Sequence, residues 1–170
     1  LATSGPGVTN CVTGIATAYM DSIPMVVLAG QVPRHLIGED AFQETDIVGC
    51  TRTIVKHSYN VRHATDIPKV IAKAMYIAES GRPGPVVIEL PKDIVNPEYK
   101  HPYRMPKEVS IRSYNPKPMI REDQIEQAVN KMSHSERPVI YTGGGIVNAN
   151  CSDLLVEFSE KFNAPVTNTL

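Results

Sequence analysis

Two almost unbroken apolar runs, Pro24 to Ala29 (Pro-Met-Val-Val-Leu-Ala) and Pro85 to Leu90 (Pro-Val-Val-Ile-Glu-Leu), constrain this chain more than any other feature. A strand with no polar face has to be covered on both sides, which is the condition of a parallel sheet flanked by helices. The intervening sequence supplies the connection such a sheet needs. Residues Ile54 to Val61 read as a further strand, and Asp66 to Ser80 place Ile67, Val70, Ile71, Ala74 and Ala78 on one helical face. Asp66 is the expected N-cap, Pro68 is tolerated in the first turn, and Gly81 with Pro83 ends the helix. Strand, helix and strand in that order predict a right-handed crossover. Upstream, Ser4-Gly5-Pro6-Gly7 leads into one helix carrying Val8, Cys11, Val12, Ile15 and Tyr19.

From Asn96 the pattern dissolves, because Pro97, Pro102, Pro106, Pro116 and Pro118 prevent regular pairing and stiffen the backbone. The expected organisation is therefore a unit at 1–96, a Pro-rich linker at 97–118 and the start of a second unit at 119–170. In the second unit a helix is expected over Arg121–Met132, followed by a strand over Pro138–Thr142. Gly143-Gly144-Gly145 then turns into a helix bearing Leu154, Leu155, Phe158 and Phe162, with Glu157 and Lys161 as a surface pair. Ala164-Pro165-Val166 opens a last strand. The fold class is α/β.

Charge narrows the function. The formal net charge is −1, Lys and Arg form no run or stripe, and the aromatics are not interleaved with them. Nucleic acid and anionic membrane are therefore not expected partners. No apolar stretch is long enough to cross a bilayer, so the expectation is a soluble protein. Cys11, Cys50 and Cys151 are widely spaced with no Cys-x-x-Cys, and are expected to be free, small, buried hydrophobes in a reducing compartment. The five histidines show no metal spacing, and there is no Gly-x-Ser-x-Gly elbow, Walker loop or catalytic carboxylate pair. The chain opens at Leu1 without Met and stops on a β-favouring run, so it is expected to be an internal piece of a longer polypeptide.

What the residues do offer is a binding edge. Gly30-Gln31-Val32-Pro33-Arg34 runs on to Asp40-Ala41-Phe42-Gln43-Glu44, and Ser80-Gly81-Arg82-Pro83-Gly84-Pro85 runs on to Leu90-Pro91-Lys92-Asp93. Both are expected to set glycine, proline and polar side chains at the carboxyl ends of buried strands, where open α/β sheets bind ligands. Gln43 and Glu44 are expected to start a short helix. Arg82 and Lys92, at opposite ends of one strand, are candidate partners for an anion. The glycine triplet is either a phosphate-cradling turn or a plain tight turn, since the third glycine of a dinucleotide fingerprint is missing. Ser4-Gly5-Pro6-Gly7 reads as a packing turn in preference to a phosphate site, having no nearby cation.

Taken together, Ala2-Thr3-Ser4-Gly5-Pro6-Gly7 with Thr9-Asn10, Ala18 through Asp21-Ser22-Ile23-Pro24, the Gly30 and Asp40 runs, Lys56-His57 and Ser80 to Pro85 resemble the acetolactate (acetohydroxyacid) synthase family of thiamine diphosphate enzymes. The resemblance is specific up to about Pro97 and looser beyond, where Ser113-Tyr114, Pro138-Val139 and the triple glycine carry it. It implies a parallel-sheet, pyrimidine-binding domain portion followed by the start of a Rossmann-like central domain associated with FAD. It implies Gln43 beside the thiamine cofactor, Phe42 and Lys92 at the substrate channel, and Pro33 and Lys56 at the channel mouth where herbicides bind in this family. Ser22, Arg82, Gly144, Thr169 and Leu170 match positions around FAD.

The implied reaction is the decarboxylating condensation of pyruvate with a second 2-ketoacid, pyruvate or 2-ketobutyrate, in branched-chain amino acid biosynthesis. Thiamine diphosphate, Mg²⁺ and FAD are the implied cofactors. The family's essential glutamate is expected before Leu1 and its Gly-Asp-Gly metal segment after Leu170, so the piece by itself is expected to be inactive. The implied partners are small 2-ketoacids, further copies in a dimer or tetramer and a regulatory small subunit. The implied location is the bacterial cytoplasm or a eukaryotic organelle stroma or matrix. The competing readings are another thiamine enzyme, such as a pyruvate oxidase or glyoxylate carboligase, and a non-catalytic nucleotide-binding module built on the triple glycine.

Overall fold

The structure, a computed structural model, describes residues 1–98, 100 and 102–169. The chain divides into two compact units, Leu1–Lys117 and Pro118–Leu170.

The first unit is built on three parallel strands, β1 (Met25–Gln31), β2 (His57–Asn60) and β3 (Pro85–Pro91), in the order β1-β3-β2. The central strand is β3, and its Val86, Val87 and Ile88 are fully buried. Alternation along a strand sends neighbours to opposite faces, so Val87 joins Val8, Ile15, Val27, Ala29, Ile47 and Val55 on one side. Val86 and Ile88 join Val61, Ala74, Ile77, Ala78 and Ile94 on the other. Helices α2 (Val12–Met20) and α3 (Ile47–Thr51) cover the first face, and α4 (Ile67–Glu79) covers the second. Burying one such valine or isoleucine contributes about 1.5–3 kcal/mol; β3 is buried on both faces, whereas on β1 Val27 and Ala29 are buried and Val26 and Leu28 half-buried. Ala2 pairs with Ala29 on the outer side of β1, donating to the Leu28 carbonyl at 2.9 Å and accepting from Gly30 at 2.8 Å.

Several local expectations change. The first helix is broken into α1 (Pro6–Thr9) and α2, because the Cys11 amide takes the Val8 carbonyl three residues back at 2.9 Å and forms a tight turn. β2 is shorter than Ile54–Val61, since Ile54 bonds back to Thr51 and pairing starts only when Lys56 donates to the Pro85 carbonyl at 2.8 Å. Asp66 does not cap α4 with its side chain; it lies in a 3-10 turn, Ala64–Asp66, that winds into the helix. No helix starts at Gln43 and Glu44, because Gln43 has a left-handed backbone (φ 60°); α3 begins at Ile47, capped by Asp46. None of the three free cysteines is buried: Cys50 is exposed, and Cys11 and Cys151 are half-buried. Residues Ile47 and Thr51 take the buried face of α3 and leave Cys50 to solvent.

The Pro-rich stretch is not featureless. Ile111 and Tyr114 pack against the α4-side cluster of the first unit.

In the second unit β4 (Ile140–Thr142) and β5 (Val166–Asn168) pair in parallel, with α5 (Glu122–Ser133) preceding β4. The glycine triplet opens α6 (Gly144–Asn148), which a turn at Asn150 (φ 53°) separates from α7 (Ser152–Phe162). The single helix expected there is therefore two. The α7 helix ends on Asn163 in the left-handed conformation, a helix-terminating role asparagine can fill in place of glycine. Lys161 and Glu157 pair at 2.6 Å on its surface.

Candidate functional site

The carboxyl ends of β1, β2 and β3 converge with two loops. Lys92 N–H donates to the Gln31 carbonyl at 2.9 Å, so Pro33 and Lys92 leave the sheet from adjacent strands. Arg34 fixes this exit: its Nε donates to Asp93 Oδ2 at 2.6 Å, its backbone N–H to Asp93 Oδ1 at 3.0 Å, and Nη1 to the Arg62 carbonyl at 2.7 Å. Burial pushes the Asp93 carboxyl upward, but the Arg34 bonds outweigh it and hold the group below its ordinary range. Lys92 is exposed and belongs to no ion pair among the described residues.

The loop from Gly38 to Asp46 is shaped by carboxylates. Glu44 accepts from the Gly38 N–H at 2.5 Å and the Ala41 N–H at 3.0 Å, and these two bonds lower its pKa, Gly38 contributing most. Asp46 Oδ1 accepts from Gly49 N–H at 2.8 Å. Between Ala41 and Glu44 the chain turns through Phe42, 89% exposed, and Gln43. Gly5 (φ 57°) lies directly beneath: a Cβ there would meet the Gln43 carbonyl oxygen at 2.6 Å and its Cβ at 2.9 Å. The Ser4-Gly5-Pro6-Gly7 turn is thus a packing turn against the Gln43 loop.

Beneath the edge is a buried polar network. Gln31 Nε2 donates to Glu89 Oε1 and to the Thr45 carbonyl, both at 2.8 Å, while its Oε1 accepts from Val32 N–H at 2.8 Å. Asn60 Nδ2 donates to the other Glu89 oxygen. Burial raises the Glu89 pKa and exceeds the lowering effect of the Gln31 and Asn60 bonds. Sequence reading passed over Glu89, although a lone carboxylate inside an apolar strand is itself the signal, since buried charge demands partners.

The other matched residues of this unit lie at the opposite end of the sheet, roughly 20 Å away for a seven-residue strand. The Ser80–Pro85 run precedes β3, so it marks the amino end of the strand and not the carboxyl end. Arg82 Nε donates to Ser22 Oγ at 2.9 Å and its Nη2 to the Met20 carbonyl at 3.1 Å, which brings Ser22 and Arg82 together beyond the last turn of α2. Lys56 is bound there too: Nζ donates to the Ile77 carbonyl, to the Ser80 carbonyl at 2.6 Å and to Tyr114 Oη at 3.3 Å. These carbonyls are the unpartnered acceptors of a helix end, so Lys56 caps α4. Pro33 and Lys56, grouped by resemblance at one channel mouth, are not brought together within this chain.

In the second unit Thr169 N–H donates to the Thr142 carbonyl at 2.8 Å, and Thr169 Oγ1 lies 3.2 Å from where a Gly143 Cβ would sit. A Cβ on Gly144 would meet nothing within 4 Å, so open space adjoins that backbone at the end of β4. Leu170 lies outside the described residues. Among the described residues no group of three or more potential ligands could hold a metal ion, and no helix is long and apolar enough to cross a membrane.

A parallel sheet with glycine turns, a loop and a cation at its carboxyl edge accords with the family comparisons. The N-terminal TPP binding domain of thiamine pyrophosphate enzymes matches residues 1–50, and the central domain of the same enzymes matches residues 125–170. The chain belongs to the thiamine pyrophosphate enzymes. It is similar over all 170 residues to the acetolactate synthase large subunit of Haemophilus influenzae (51% identical) and to the isozyme 3 large subunit of Escherichia coli (55%). It is 48% identical over 174 aligned positions to the chloroplastic acetolactate synthase of Arabidopsis thaliana, of which it covers 25%. The chain spans about 30% of the length of the two bacterial relatives. A putative thiamin diphosphate-dependent enzyme from Mycobacterium smegmatis superposes with a TM-score of 0.81 at 24% identity, over 99% of this chain and 32% of that one. At that identity the likeness establishes the thiamine-enzyme fold alone.

Proposed function

We propose that the protein carrying this chain is the catalytic large subunit of an acetolactate synthase, which decarboxylates pyruvate and joins the remaining two-carbon unit to a second 2-ketoacid, pyruvate or 2-ketobutyrate. The observation that carries the reading is identity of 48–55% sustained through the whole chain with the bacterial and plant acetolactate synthases above. The edge geometry supports it, because Phe42, Gln43 and Lys92 leave the same end of the sheet, offering an aromatic wall, an amide and a cation.

Thiamine diphosphate supplies, when bound, the carbon nucleophile and the electron sink for decarboxylation. The residues present fit such a ligand: Gln43 is exposed, with its backbone seated on Gly5, and would hold the heteroaromatic part. Phe42 would shield the reacting carbon from water, and the Lys92 ammonium would attract and orient the substrate carboxylate. FAD is proposed from the resemblance, and each unit taken by itself offers a fitting feature: in the first, the exposed Arg82 guanidinium is braced by Ser22; in the second, Gly144, near Thr169, leaves room for close approach of a phosphate. Mg²⁺, for which the described residues offer no ligand cluster, is assigned to the rest of the protein.

The units 1–96 and 119–170, joined by 97–118, would be parts of the pyrimidine-binding and central domains. A homodimer or tetramer with a regulatory small subunit is proposed, since the bacterial relatives are named large subunits. The proposed location is cytoplasmic in a bacterium, or an organelle as for the chloroplastic relative. The test is product analysis of the full-length protein given pyruvate, thiamine diphosphate, Mg²⁺ and FAD. Acetolactate is the expected product; acetyl phosphate in its place when phosphate and O₂ are added, or tartronate semialdehyde when glyoxylate replaces pyruvate and no acetolactate forms from pyruvate, would transfer the protein to the other thiamine enzymes.

A further inference from the structure

Gln31 and Glu89 are 5% and 4% exposed and lie directly under the edge. The Gln31 amide cannot be turned over. Its oxygen accepts the Val32 N–H, so its NH₂ must face the Thr45 carbonyl and Glu89 Oε1, each at 2.8 Å. Reversal would set oxygen against two acceptors and NH₂ against a donor. One side chain at the end of β1 therefore ties the Gly38–Asp46 loop to the sheet. Glu44 shapes the loop from within and Asp46 caps the helix that follows it, whereas the bond to the Thr45 carbonyl joins the loop to β1 and, through Glu89, to β3.

We propose that Gln31, oriented by Glu89, is a positioning residue that sets the height and direction of Phe42 and Gln43 over the sheet edge. The consequence for catalysis rests on the acetolactate synthase reading; the tie itself does not. Glu89 is satisfied by two amides, and they differ in freedom. Gln31 is locked, while Asn60 is exposed and its amide makes one bond among the described residues, to Glu89. A glutamine at position 89 can keep its oxygen toward Gln31 and offer its NH₂ to an Asn60 that has rotated to present oxygen. Loss of charge at 89 is thereby absorbed, whereas loss of the amide at 31 is not. Volume and burial alone would make the two isosteric replacements equivalent.

The full-length protein carrying this chain provides the test, by hydrogen exchange of peptides covering 38–46 and 85–91 and by steady-state kinetics with pyruvate. In Gln31→Met, amides at 38–46 should exchange at least about tenfold faster while those of β3 change by less than about twofold, and pyruvate kcat/KM should fall about tenfold. Glu89→Gln should show neither the faster exchange at 38–46 nor the fall in pyruvate kcat/KM. If Gln31→Met does not fold, Gln31→Asn decides, since it withdraws the amide by about 1.5 Å and should give the same selective loss. Unchanged exchange at 38–46, equal acceleration through β3, a Glu89→Gln defect as large as that of Gln31→Met, or failure of both Gln31 variants to fold would each overturn the proposal. Loosened loop amides in an enzyme that makes no acetolactate would leave the tie standing and remove the enzyme reading instead.

Discussion

A methyl group added at Gly5 should damage this fold far more than its size suggests. Gly5 has φ 57° and ψ −121°, a conformation open in practice to glycine alone, and alanine held there costs about 1–3 kcal/mol of backbone strain. The new Cβ would also stand 2.6 Å from the Gln43 carbonyl oxygen and 2.9 Å from the Gln43 Cβ. Both neighbours belong to a left-handed turn with little room to yield, and overpacking of this kind costs a further ~1–3 kcal/mol. The sum, about 2–6 kcal/mol, is a large share of the ~5–15 kcal/mol that stabilises a domain, and corresponds to a drop of roughly 10 °C or more in melting temperature. Gly14→Ala is the matched control. Gly14 is exposed within α2 with nothing within 4 Å of its would-be Cβ, so alanine there should stabilise by about 0.5–1 kcal/mol. Differential scanning calorimetry of both variants reads the two signs. A Gly5→Ala melting temperature equal to that of the unsubstituted protein would refute the claim that the glycine turn and the Gln43 loop are packed backbone to backbone.

Asp46→Ala removes the side-chain acceptor of Gly49 N–H, and urea unfolding should register a loss of about 0.5–2 kcal/mol. Burial raises the folded pKa of Glu89 above its ordinary value of 4.5, so the stability linked to its proton is complete below about that pH and is lost as pH rises through the folded value. Glu89→Gln cannot titrate, and its stability relative to the unsubstituted protein should therefore climb between pH 4 and 7; a flat difference would contradict the burial. Phe42→Ala should leave the melting temperature unchanged, because the ring is 89% exposed, while lowering kcat/KM for pyruvate by an order of magnitude or more. Lys92→Ala should raise the pyruvate KM and leave thiamine diphosphate affinity little changed, and an unaltered KM would remove Lys92 from the channel.

Sheet architecture was legible because it follows from burial. The runs at Pro24 and Pro85 have no polar face, and the structure places them as adjacent parallel strands with helices on both sides. Which end of a strand a motif occupies was less legible, since Ser80 to Pro85 and Leu90 to Asp93 flank the same strand and composition does not order them about a ligand. The Gln43 turn was hidden for a different reason. A left-handed backbone at a glutamine is imposed by tertiary contacts, here Gly5 beneath it and Glu44 reaching back to Gly38 and Ala41, and no local propensity announces it. The capping role of Lys56 was not legible either, since its partners Ser80 and Tyr114 lie 24 and 58 residues away. Long-range polar pairing of this kind is visible only once the chain is folded.

The central claim is that the sheet edge bearing Phe42, Gln43 and Lys92 serves carboligation of 2-ketoacids in a thiamine diphosphate enzyme. Its most direct test follows pyruvate labelled at the carbonyl carbon through the full-length protein, supplied with thiamine diphosphate, Mg²⁺ and FAD, by ¹³C NMR. Both labels should arrive in one five-carbon product, acetolactate, with one carbon dioxide released per product formed. Label appearing only in two-carbon products, or remaining in pyruvate, would contradict it.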